Sequence, residues 1–191
     1  MTREQLERAM DRLRGEVSRR ASTPEFVHAD WFVTYHLQIV ERLAQRFTSG
    51  REGTDATLVD ALVWLHDFGK ISSLNELDRE NLDEVESVLR QSGFPSAFSN
   101  TVMGCLTEVN SPRRLDKRAR IESRIVSSAD ACSHLIGPFF MIYWRENQEA
   151  AIERNLVENE RKLVHDWSVR VSLPEAADWF ATQRQAVMHF S

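Results

Sequence analysis

With 191 residues, 42% hydrophobic and 28% charged, the chain has the composition expected of one soluble globular domain. It can bury roughly 70% of its unfolded surface without disulfide or metal staples. A net charge of -5, with no cluster of Lys and Arg set apart from acids, argues against long nucleic acid as a partner. No signal peptide is expected, because charge begins at Arg3. The longest uncharged stretch, Ala131 to Trp144, is broken by Gly137-Pro138 and is too short to span a bilayer, so no membrane association is expected and the cytoplasm is the expected compartment.

Helical spacing dominates the chain, and Gly and Pro are few. Thr2 to Arg20 predicts a charged helix with a thin stripe of Leu6, Met10, Leu13 and Val17. Asp30 to Phe47 carries Phe32, Tyr35, His36, Ile39, Val40, Leu43 and Phe47 at i, i+3, i+4 and i+7. A loop at Ser49 to Gly53 follows, and Thr54 or Asp55 can cap a helix running to about His66. Gly69 to Asp78 is polar and reads as irregular. Arg79 to Gln91 predicts a helix ended by Ser92-Gly93-Phe94-Pro95. Ser96 to Val109 predicts another, followed by a basic loop at Asn110 to Lys117. Ala119 to Ile136 is a strong helical pattern, turned by Gly137-Pro138 into a long one from Phe139 to Trp167. Leu173-Pro174-Glu175 starts the last helix, which ends near Phe190. The expected fold is all-α, a single domain over residues 1–191 built as a bundle of about seven or eight helices. Its motif-bearing region covers about 30–135, and a helical extension covers about 139–191.

Several residues break these patterns. The apolar run Ala61-Leu62-Val63-Trp64-Leu65 ends in His66-Asp67, followed by Phe68-Gly69-Lys70. A buried carboxylate is costly unless a cation or donors offset its charge, and imidazole with carboxylate suits a divalent metal. Asp67 can equally cap a turn. His36 lies on the apolar face of its helix, where a lone histidine is more often a hydrogen-bonded core residue. Asp130 sits mid-helix among Ser127, Ser128, Ala129, Ala131 and Cys132, an unfavourable place for Asp; its bland reading is a carboxylate bonded to Ser127 or Ser133. The conjunction favours a site, since three helices each place a potential ligand in an apolar face.

The ordered set His36, His66-Asp67 and Asp130 resembles the signature of the HD superfamily of metal-dependent phosphohydrolases. Leu65-His66-Asp67-Phe68-Gly69-Lys70 is similar to that family's apolar-H-D-x-G-K stretch, and Glu122-Ser123-Arg124-Ile125-Val126-Ser127-Ser128-Ala129-Asp130 to its E-x-K-I-V-x-x-A-D segment. The likeness covers about Asp30 to Leu135, and the helical C-terminus is similar to small stand-alone HD hydrolases. It implies one divalent cation (Mn, Fe, Co, Ni or Mg) on His36, His66, Asp67 and Asp130, with two octahedral positions left for water and a phosphoryl oxygen. Asp67 is then the ligand that doubles as base or water-orienting group. Lys70 is the candidate for stabilising phosphate charge, against a plain surface lysine. The sequence departs from many family members in having no histidine between His66 and His134, which argues against a second metal. Asn110 stands about where one is often found and is the candidate substrate contact.

Arg113, Arg114 and Lys117 read as a solvated loop in preference to a phosphate site. Glu122 reads either as the partner of a nearby cation that sets the Asp130 helix or as a surface residue. His28 is placed at the entrance. His134 is read as a satisfied core residue in preference to a site residue, and His165 and His189 as structural or exposed. Trp31, Tyr35, Trp64, Phe139, Phe140, Tyr143 and Trp144 are assigned to the core, and Cys105 and Cys132 to reduced core thiols. The implied activity is hydrolysis of a small phosphorylated substrate, with a nucleotide as one option and homo-oligomerisation left open. The competing readings are a non-catalytic HD-like module that binds a ligand or protein, and a purely structural bundle.

Overall fold

The computed structural model describes residues 1–26, 28–71, 79–136 and 138–188. The expectations for 72–78, for Gly137 and for the end of the last helix with His189 lie outside them. The fold is all-α, with no strand among the described residues. Among them, too, no helix is long and apolar enough to cross a membrane.

Helix α1 (Arg3–Ala21) starts at a capping box: Gln5 N–H donates to the Thr2 hydroxyl and Thr2 N–H to the Gln5 side chain. Its stripe of Ala9, Met10, Leu13 and Val17 is buried against α3 (Ala56–Leu65). Asp55 caps α3 by accepting from Thr57 N–H and Leu58 N–H. Seven of the ten residues of α3 are buried, so it is the central helix. Its side chains meet α1, α2 (Gln38–Thr48), α6 (Ser96–Val109) and α7 (Ile121–Ser133). A short turn, α4 (Phe68–Ile71), follows α3, and α5 (Arg79–Ser92) leads to α6. Between the last two, Gly93 adopts φ 94°, which L side chains rarely take. A Cβ there would also meet Arg12 Nη2 at 2.7 Å, where Arg12 donates to Ser92 O.

The histidine-bearing start of α2 differs from the expected regular helix. Val33–Leu37 is a π-turn, closed by Gln38 N–H donating to Val33 O. The wide turn keeps Phe32, His36, Val40, Leu43 and Phe47 inside but leaves Tyr35 exposed, contrary to its expected core role.

The expected helix from Phe139 to Trp167 is two helices, α8 (Phe139–Glu146) and α9 (Ile152–His165). Asn147 ends the first by donating from its side chain to Tyr143 O, the local bonding that makes Asn a poor continuation residue. Helix α9 runs into a second π-turn, Asp166–Arg170, closed by Val171 N–H donating to Asp166 O. The expected last helix is likewise broken into α10 (Pro174–Trp179) and α11 (Ala181–Met188), where Phe180 turns into the core. More elements result than the seven or eight expected, because local caps and buried aromatics interrupt patterns that charge alone does not.

Small residues on α7 let the 170–173 segment lie close against it. Ser127 donates to Arg170 O, and Ser128 Oγ accepts from Ser172 N–H and Leu173 N–H. Both cysteines are free and buried, and burial pushes the Cys132 thiol up to about 12.

Candidate metal centre

The α2, α3 and α7 helices pack on one another and bring together four residues from three separate stretches of the chain. His36 comes from the π-turn, His66 from the C-cap of α3, Asp67 from the next residue and Asp130 from α7. His66 is oriented by its own helix: Nδ1–H donates to Val63 O at 2.8 Å, leaving the Nε2 lone pair free to face inward. His36 Nε2 and His66 Nε2 lie 3.3 Å apart. Asp67 Oδ2 is 3.3 Å from His36 Nε2 and 3.8 Å from His66 Nε2. Asp130 Oδ1 is 3.6 Å from each of the two. Adjacent ligand atoms on bonds of ~2.1 Å are ~3.0–3.4 Å apart, so this donor set needs only a small contraction to suit a divalent ion.

The alternative for Asp130 fails on geometry. Ser127 is engaged with Arg170 O, and the Ser133 hydroxyl donates to the backbone carbonyl of Asp130, so neither is bonded to its carboxylate. Burial opposes the charge of Asp130, yet His134, His66 and His36 hold its carboxyl well below the usual range. Asp67 is held low in the same way against burial, first by Lys70 and then by His66 and His36. Burial pushes the His36 pKa down; at His66 the Asp67 and Asp130 charges outweigh burial and push it up. Two buried carboxylates facing two imidazoles thus carry negative charge that a divalent cation would offset.

Lys70 donates from Nζ to Asp67 Oδ2 at 2.6 Å. Its ammonium is partly desolvated, but Asp67 and Asp130 raise its pKa. The side chain is 62% exposed, so solvent screens the pair, which orients Asp67 more than it stabilises the fold.

Of these groups His36, Asp67 and Lys70 line an open cleft of about 130 Å³, where they are joined by His134 and Lys162. Trp31, Phe32, Phe139 and Tyr143 wall it, contrary to the core role expected of Trp31, Phe139 and Tyr143. Trp144 is also exposed, whereas Trp64 is buried as expected. His28 lies at the cleft too, and with Trp31 it holds Glu146. Trp31 Nε1 donates to Glu146 Oε1 at 2.6 Å, and His28 Nδ1 is 3.0 Å from Glu146 Oε2.

Asn110 is not brought to the cleft. It ends α6, donating from Nδ2 to Leu106 O, so the turn it caps holds its side chain. Arg114 donates to Val171 O, and neither it nor Arg113 or Lys117 lines the cleft. Glu122 is buried, accepts from Asp55 N–H at 3.0 Å and pairs with Arg120, tying the start of α7 to the cap of α3. His165 is exposed.

His134 departs from its expected place. It is buried one turn after Asp130, with Nε2 3.7 Å from Asp130 Oδ1 and Nδ1 2.8 Å from Asp166 Oδ2. Lys162 Nζ lies 3.3 Å from the same Asp166 oxygen. Burial opposes the Asp166 charge, but His134 and Lys162 hold its carboxyl below the ordinary range. The i, i+4 spacing of Asp130 and His134 was the one signal in the sequence for this placement; nothing local pointed to Asp166 or Lys162.

No protein-family model, no curated protein and no solved structure matches the chain.

Proposed function

We propose that the chain is a divalent-metal-dependent phosphohydrolase of the HD type, acting on a small phosphorylated molecule. The observation that carries this reading is the convergence of His36, His66, Asp67 and Asp130, of which His36 and Asp67 line an open cleft with the Lys70 ammonium beside them. These four residues would hold Mn, Fe, Co, Ni or Mg, which when bound would acidify a water at an open position. His66 keeps its Nε2 available because Val63 O takes the Nδ1 proton. Asp67, ionised well below neutral, is a weak base, so its role is to orient water by accepting its hydrogen bond. Lys70 turns its ammonium from Asp67 toward phosphoryl oxygens that enter the cleft and stabilises their charge. The aromatic wall of Trp31 and Phe139 shields the reacting group from bulk water.

The test is metal analysis of the purified chain, with turnover of p-nitrophenyl phosphate and a nucleotide panel under Mn, Co, Ni and Mg. Metal-dependent release of phosphate is expected, and it is lost in the double variant His66→Ala/Asp67→Ala. Absence of both metal and turnover under every condition would defeat the reading. Lys70→Ala is expected to keep the metal and lose roughly 10²-fold in kcat, as removal of one charge-stabilising donor does.

A further inference from the structure

His134 is hydrogen-bonded at one ring nitrogen and turns the other toward the carboxylate of Asp130. Its Nδ1 lies 2.8 Å from Asp166 Oδ2, and Lys162 Nζ approaches that same oxygen at 3.3 Å. A carboxylate only accepts, so Nδ1–H donates to Asp166 and the ring is held with Nε2 turned the other way. His134 Nε2 faces Asp130 Oδ1 at 3.7 Å, beyond hydrogen-bond distance. An imidazole nitrogen and a carboxylate oxygen thus face each other in a buried place without a hydrogen bond between them, a pair that suits a shared cation. The ring is also held where it can serve. It stacks parallel to His36, with centroids 5.8 Å apart and 5° between planes, and Phe139 packs on it at 4.3 Å. His36, Asp130 and His134 bring ligand atoms within 4.8 Å of one another, as His36, His66 and Asp67 do, and His36 belongs to both groups.

We infer that His134 is a fifth ligand of the same metal centre and that Asp166, braced by Lys162, is the positioning residue that fixes its tautomer and aim. This rests on the metal-centre reading above. The donor set becomes three imidazoles and two carboxylates, which leaves one position of an octahedron open instead of two. A carboxylate on the far nitrogen of a ligating histidine raises its basicity and orients the ring, and losing such a partner typically weakens metal binding roughly 10–100-fold.

The experiment is Co(II) or Mn(II) titration of the full chain against a competing chelator, with X-ray absorption on the loaded protein to count imidazoles. Wild type is expected to show three imidazoles, and His134→Ala and His134→Gln two, with weaker affinity. Asp166→Ala should weaken binding roughly 10–100-fold. Circular dichroism of each metal-free variant separates loss of a ligand from loss of fold, and the wild-type imidazole count tests the assignment without any variant. A wild type that binds no ion would overturn the metal reading and this inference with it. A wild type that binds with only two imidazoles, or His134 variants that keep affinity and count, would overturn this inference alone.

Discussion

The π-turn before α2, the end of α3 and α7 present His36, His66 and Asp130 from inside the core, whereas α8 and α9 reach the neighbouring cleft from the surface. In α3 seven of ten residues are buried, while α8 buries none and α9 only Asn155 and Leu163. The first group is held by apolar packing, which fixes the ligand positions without reference to solvent. The second is held by a few polar contacts, chiefly Glu146 to Trp31 and His28, and Asp166 to His134 and Lys162. The floor of the cleft is therefore pre-organised and its wall is attached, and the wall is the part expected to open.

Core truncation sharpens this contrast most. Leu62→Ala in α3, where the side chain is fully buried, should cost about 2–5 kcal/mol in denaturant unfolding, while Leu156→Ala on the exposed face of α9 should stay within about 0.5 kcal/mol. Equal costs would break the distinction between floor and wall. Next in size, Glu146→Ala removes the acceptor that holds Trp31 and His28. Loss of about 1–2 kcal/mol there should raise amide hydrogen exchange across α8 roughly tenfold and leave α3 unchanged. Unchanged exchange in α8 would mean that the wall is not fastened at Glu146.

The smallest effect belongs to the surface of the packed half. Glu16 accepts from Arg19 and Arg20, and these bonds outweigh partial burial and bring its pKa to about 2. Because the folded value lies below the unfolded one, this stabilisation is present above about pH 4.5 and fades as pH falls toward 2. Glu16→Gln should accordingly flatten the loss of stability between pH 5 and 2, read from urea midpoints. A variant as acid-sensitive as wild type would remove Glu16 from that account.

How much of the site could be read without the structure depended on where each residue sits in its own helix. His36 and Asp130 stood out because a polar group on an apolar helical face is visible as a break in period, and His66-Asp67 because it ends an apolar run. Phe139, Glu146 and Lys162 show no such break: they lie on amphipathic or charged segments, and their cleft-facing positions follow from where α8 and α9 fold back. Trp31, Phe139 and Tyr143 were assigned to the core because an aromatic side chain in a helical pattern is usually buried. Asn110 was placed by its position in the chain, yet a helix end needed its amide more.

By itself, the chain's hydrophobic period determined that this protein is helical, which faces turn inward, and that a histidine, a His-Asp pair and an aspartate lie on three of those faces. These are local properties, carried by residues within one or two turns of each other. Only the tertiary structure decided that Asp166 and Lys162 stand behind His134. The His134–Asp166 contact joins residues 32 positions apart across a break between helices, and its geometry depends on where Asn147 and the second π-turn redirect the chain. No pattern within a single helix encodes such a redirection, because it is set by how caps and packing surfaces fit together in space.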